Sequence, residues 1–133
     1  MIDNSMLTGK YLWKIVTEDE EVKKLIPANK VKPLLAVADT TFPFVVYSRD
    51  ALIPYYTKDM LSGNELTFTF IVVSDKYESG LTIANAVRNA LECKRYKDEN
   101  IHIHPIKLTS LYEETVEDAF LQRMTFTMEV TNE

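Results

Sequence analysis

The sequence predicts an α+β fold, a two-layer sandwich with a mainly antiparallel sheet and helices packed on one face. Three observations carry this. Glu65 to Ser74 alternates apolar and polar side chains with period two. At Asp75 the period changes to about 3.6, the signature of a helix. Ile101 to Tyr112 and Phe120 to Val130 then return to strand-like patterning.

The elements follow in order. Asn4 or Ser5 is placed to cap a first helix, whose apolar face would be Met6, Leu7, Tyr11, Leu12, Ile15 and Val16. Gly9 weakens it by about 1 kcal/mol relative to Ala, and packing of Leu12 and Trp13 is expected to offset this. Thr17, followed by Glu18, Asp19, Glu20 and Glu21, reads as a second helix start, with carboxylates at the positive end of the dipole. Val22 and Leu25 would point inward, and Pro27 stops the helix.

Lys30 to Pro33 suits a short strand, and Leu34 to Thr41 reads as a loop. Pro43 opens a strand to about Ile53; a proline is tolerated at a first strand position. Pro54 to Asn64 is expected to be a long hairpin loop with Ser62-Gly63-Asn64 as its turn signal. In the next strand Leu66, Phe68, Phe70 and Val72 share one face, and Thr67, Thr69, Ile71 and Val73 the other. Asp75, with Glu78 three residues on, resembles a capping box. The helix would run to about Cys93 and bury Leu81, Ile83, Ala84, Val87, Ala90 and Leu91. Ile101 to Tyr112 is a strand broken by Pro105, with Glu113 and Glu114 near a turn. A long last strand follows, with Phe120, Gln122, Met124, Phe126, Met128 and Val130 on one face, and an antiparallel hairpin is expected.

A chain of 133 residues is the length of one domain, expected to span residues 1–133. Such a chain buries roughly two thirds of its unfolded surface. The single cysteine, Cys93, excludes an intramolecular disulfide and suits a reducing compartment. The net charge of −5 opposes a main task of gripping nucleic acid through phosphates. No apolar run is long enough to span a bilayer, and the N-terminus lacks the pattern of a secretory signal. The expectation is a protein kept in a cytoplasm or built into a particle assembled there.

No cluster has the spacing of a nucleophile, a phosphate loop or a dedicated metal site, so no catalytic, cofactor or metal residues are assigned. His102 and His104 share one strand face and could bind a transition metal if a carboxylate such as Glu129 joined them; a polar strand face is the simpler reading. Cys93 with Lys94 and Arg95 beside it lacks a positioned base for catalysis. Lys94, Arg95 and Lys97 around Tyr96 suit a solvated helix C-terminus. The apolar loop is different. Tyr55, Tyr56, Met60 and Leu61 either fold back on their own sheet or form an arm buried in an assembly interface, where Tyr and Met are enriched.

Several segments carry a family likeness: the short N-terminal helix, Thr17-Glu18-Asp19-Glu20-Glu21-Val22, Lys30-Val31-Lys32-Pro33 and Phe42-Pro43-Phe44-Val45-Val46-Tyr47. Val72-Val73-Ser74-Asp75-Lys76-Tyr77-Glu78, Ala84-Asn85-Ala86-Val87-Arg88-Asn89-Ala90-Leu91 and Phe126-Thr127-Met128-Glu129-Val130 continue it. Over nearly its whole length the sequence resembles the small tail-completion proteins of long-tailed bacteriophages and prophages, related to tail terminators and head–tail joining proteins. The resemblance implies a structural virion protein, not an enzyme, assembled in the bacterial host cytoplasm. It implies a ring of copies, commonly a hexamer, that caps the tail tube and meets head connector proteins. DNA would be passing cargo, which an acidic lumen repels, and no membrane is involved. Two other readings stay open: a head–tail connector or minor capsid component on the portal side, and a small ligand-binding domain.

Overall fold

The computed structural model describes residues 2–33, 41–57 and 60–132, with the side chains of Met60 and Leu61 outside the described set. The expected loop at Leu34 to Thr41 therefore lies, except for Thr41, outside the described residues. A 3-10 turn at Ser5–Leu7 leads into helix α1 (Thr8–Thr17), then α2 (Glu20–Leu25) and a second 3-10 turn at Ala28–Lys30. Strands β1 (Val31–Pro33), β2 (Phe44–Thr57) and β3 (Met60–Ser74) precede helix α3 (Tyr77–Leu91). Strands β4 (Tyr96–Lys97), β5 (His102–Ile103), β6 (Lys107–Val116) and β7 (Ala119–Thr131) complete the chain. The fold is α+β. Its mixed sheet runs β1-β2-β3-β7-β5-β4, with β6 also on β7. Among the described residues β1 and β2 pair in parallel and the other pairings are antiparallel.

The period-two reading of the central strands holds. Leu66, Phe68, Phe70 and Val72 of β3 are buried, as are Gln122, Met124, Phe126, Met128 and Val130 of β7. Register places Phe68 opposite Phe126 and Phe70 opposite Met124. This face forms one core with Leu12, Val16, Ile83, Val87 and Leu91 from α1 and α3. Each such side chain contributes about 1.5–3 kcal/mol through burial. Phe70 stacks on Tyr47 at 5.2 Å and meets Phe126 edge-on at 6.0 Å. Trp13 Nε1 donates to the Val31 carbonyl at 2.8 Å, which ties α1 to β1. Gly9 lets α1 approach closely: a Cβ there would lie 3.3 Å from the Phe68 ring.

Pro105 divides β5 from β6, as the sequence suggested. Both lie along the same side of β7, β5 at its end and β6 along the remainder. The short strand β4 was not anticipated. It is held by the Asp98 turn, where Oδ1 accepts from Asn100 N at 2.7 Å and Ile101 N at 3.0 Å.

Several local expectations are corrected. Neither Asn4 nor Ser5 caps α1 with a side chain, because a 3-10 turn intervenes. Met6 and Leu7 are exposed on that turn. The cap of α2 is Asp19, whose side chain accepts from Glu21 N and Val22 N, both at 3.1 Å. Thr17 instead ends α1, with its hydroxyl on the Trp13 carbonyl. Leu25 is exposed while Val22 and Ile26 point inward. Asp75 is not the cap of α3; Lys76 holds that position, and its N–H goes to Ser74 Oγ. Leu81 is exposed, since it lies about 200° around the helix from Ile83. Glu113 and Glu114 sit within β6, and the turn falls at Glu117 and Asp118.

The largest correction concerns residues 54–64. They do not form a long loop. β2 and β3 stay paired to Thr57 and Met60, so the hairpin is extended almost to its tip. Pro54 sits on β2, where among the described residues β3 alone is its neighbour, a place that tolerates a missing donor. Ser62, Gly63 and Asn64 are strand residues. Asn64 is 2% exposed, and its amide donates to Asp3 Oδ2 at 3.0 Å and Ser5 Oγ at 2.8 Å.

Candidate functional site

The arm and the histidine strand, separate in sequence, meet on the sheet face away from the core. Tyr55 lies on β2 opposite Gly63. Its hydroxyl donates to the Glu129 carboxylate on β7. A Cβ at position 63 would come within 2.7 Å of the Tyr55 oxygen and 3.1 Å of the Thr131 methyl. Glycine is thus what lets the tyrosine ring lie flat across β3 toward β7. Burial pushes the Tyr55 hydroxyl up to about 12, helped by its bond to Glu129 and the negative charges of Glu129 and Glu65. Glu65 and Glu129 are direct cross-strand partners, an arrangement that like charges disfavour.

His102 and His104 do share a face, with ring centroids 3.9 Å apart and planes inclined by 28°. His104 Nε2 lies 3.1 Å from Thr131 Oγ1. A groove of about 330 Å³ is lined by Glu65, His104, Pro105, Lys107, Thr127 and Glu129. His104 and Glu129 therefore border one groove. Among the described residues no group of three His, Cys, Asp or Glu is arranged to hold a metal ion.

The remaining candidates disperse. Cys93 is exposed just beyond α3, in a left-handed backbone conformation, with its N–H on the Ile106 carbonyl. Tyr96 does not present a stacking surface. Its ring packs on Tyr11 at 5.1 Å, and its hydroxyl donates to Asp98 at 2.8 Å. That bond lifts the Tyr96 hydroxyl above its ordinary value. Met124, Phe126 and Met128 are core.

The four arm residues divide in the same way. Tyr55 is half-buried by the contacts above, whereas Tyr56 is 67% exposed. The Met60 and Leu61 side chains lie outside the described residues; their backbones pair with Thr57 and Tyr56. Sequence reasoning missed the β6–β7 hairpin as a surface. Leu111, Tyr112 and Val116 are all exposed on β6. Arg123 on β7 joins it through Glu114, at 2.5 Å, and sits over the Tyr112 ring at 5.7 Å. Residues 107–116 carry no clean period-two pattern that would have marked this surface in the sequence. No helix among the described residues is long and apolar enough to cross a membrane.

No curated protein matches the sequence. A solved chain described as the virion of a native gene transfer agent particle has the same fold: TM-score 0.77, 15% identity, 90% of each chain covered. A second solved chain is similar at TM-score 0.54 and 13% identity, covering 92% of this chain and 95% of the other. The profile of the family described as tail completion protein gp17 matches residues 10–131. With nearly the whole chain accounted for, the protein belongs to that tail completion family and has a structural role in a phage-type particle.

Proposed function

We propose that this chain caps the tail tube and helps join tail to head through ring-forming self-association. In this reading residues 1–133 act as one domain, a two-layer sandwich of sheet and helices. Its copies form a ring of hexamer scale, assembled in the host cytoplasm and carried in the virion. The ring contacts tail tube and head connector proteins, and packaged DNA passes through it as cargo. The protein works by fit and carries out no bond-making chemistry.

The observation that carries this reading is the family match over residues 10–131. The far end of β2 supports it: Tyr56 and Ile53 are 67% and 56% exposed, large apolar surfaces of the kind interfaces cover. Tyr55, Tyr56, Met60 and Leu61 are the proposed contact residues, with Tyr56 the anchor.

Light scattering across a concentration series, alone and with purified tail tubes, tests the proposal. A hexamer-scale mass, or a cap on tube ends in negative stain, is the expected result. Tyr56→Ser should abolish either one while leaving the melting temperature within about 1 °C, since exposed substitutions cost little. A chain that stays monomeric at every concentration and ignores tube ends overturns it.

A further inference from the structure

Among the described residues the sheet has two long open edges. One is β6, paired with β7 on one side only. The other is β2 from Ser48 onward, because β1 covers β2 only at Val45 to Tyr47. Unpaired edges present rows of N–H and C=O groups ready to accept another strand. Both edges are ten residues long, 48–57 and 107–116, and both expose apolar side chains.

Direction and facing also match. β2, β3, β7 and β6 are four strands, each antiparallel to the next. The two edges of one chain therefore run in opposite senses. A rotated copy brings β6 of one chain beside β2 of the next in antiparallel register, the more stable kind of pairing. Such a contact uses different surfaces on the two partners, and it closes into a ring when the rotation closes.

We propose that β6 of one copy pairs with the β2 edge of the next, so that the sheet continues from chain to chain. This rests on the self-association reading above and names its surface. One register satisfies the pattern. Leu52 shares the core-side face with its partner Leu66, and Leu111 shares it with Met124. Setting Leu52 opposite Leu111 keeps core face beside core face. Ala51 then meets Tyr112 on the other face. Asp50 is skipped at its bulge, so Arg49 falls opposite Glu113, an opposite-charge pair on exposed positions. At the other end the skipped residue is Thr109. Pro54, which has no N–H to offer, falls at that irregularity, where regular pairing is already interrupted.

The test is a cross-link in the full chain carrying Cys93→Ser, Ala51→Cys and Tyr112→Cys. Within one chain these two positions are three strand spacings apart across the sheet, roughly 14 Å, and further offset along it by the register. That exceeds the Cα separation of about 7 Å that a disulfide spans, so bonds form only between copies. Mild oxidation should give a ladder from dimer upward on a non-reducing gel, while each single-cysteine variant gives at most traces. Arg49→Glu should weaken association several-fold, and adding Glu113→Arg should restore most of it. Cross-linking of Tyr112→Cys alone as strong as that of the pair would mean β6-to-β6 contact and would overturn the proposal. Association by light scattering without a ladder also overturns it, while leaving self-association standing. No association and no ladder would remove both.

Discussion

Replacing Gly63 by alanine asks whether Tyr55 is a latch on its own sheet. The backbone at Gly63 does not have a positive φ, so alanine is not strained there. The obstacle is space: the new methyl would lie 2.7 Å from the Tyr55 oxygen and 3.0 Å from Cζ. The ring must move, and its bond to Glu129 goes with it. Overpacking of this kind costs about 1–3 kcal/mol, and a lost hydrogen bond about 0.5–1.5 kcal/mol, with the lower end apt for an exposed partner. Reduced freedom of the unfolded chain returns about 0.4–1 kcal/mol. The net expectation is a loss of about 0.5–3 kcal/mol, up to several degrees in melting temperature for a chain of this size. In a Tyr55→Ser background the obstructing atoms are gone. The next neighbour is the Thr131 methyl at 3.1 Å, and it sits at the end of β7, where it can give way. There Gly63→Ala should be neutral or stabilising by about 0.5 kcal/mol. Urea melts of the four proteins in this cycle should yield a coupling of at least about 0.5 kcal/mol. Equal effects of Gly63→Ala in both backgrounds would refute the latch and return Tyr55 to the free arm.

The remaining predictions concern the fold around that surface. Asp3 is desolvated, which alone would raise its pKa. Hydrogen bonds from Ser5, Asn132 and Asn64 outweigh this and hold the carboxyl at about 2. Its folded value is depressed, so its stabilisation is present above about pH 4 and is lost as pH falls through about 2. Because Asp3 is solvent-exposed, the contribution is discounted for screening to about 1 kcal/mol; Asp3→Ala should cost that much in urea melts at pH 6 and almost nothing at pH 2. Asp19→Ala removes the cap of α2 and should cost about 0.5–2 kcal/mol by chemical denaturation. Phe70→Ala should cost at least about 3–5 kcal/mol, leaving calorimetry with a weak transition or none. Leu81→Ser, on an exposed helix position, should change stability by no more than about 0.5 kcal/mol.

Strong periodicity was legible and weak signals were not. The alternation from Leu66 to Val72 and from Gln122 to Val130 identified both central strands and their buried faces, because a pleated sheet reverses its face at each residue. The stripe of Ile83, Val87, Ala90 and Leu91 did the same for α3. Caps were misjudged by one or two positions at Thr17 and Asp75, since Asp19 and Ser74 compete for the same short-range bonds. Residues 54–64 were misread because proline, glycine and asparagine there look like turn residues, whereas each has a tertiary reason to sit in a strand.

The sequence alone determined the α+β class, the order of the main elements, most of the core and the likeness to tail-completion proteins. These rest on local periodicity and on patterns that survive without knowledge of neighbours. Only the tertiary structure decided that Tyr55 reaches Glu129 across Gly63, that His104 and Glu129 border one groove, and that β2 and β6 end as opposed open edges. Those facts depend on strand order and register, which bring residues 74 positions apart into contact, and no local pattern encodes which strands become neighbours.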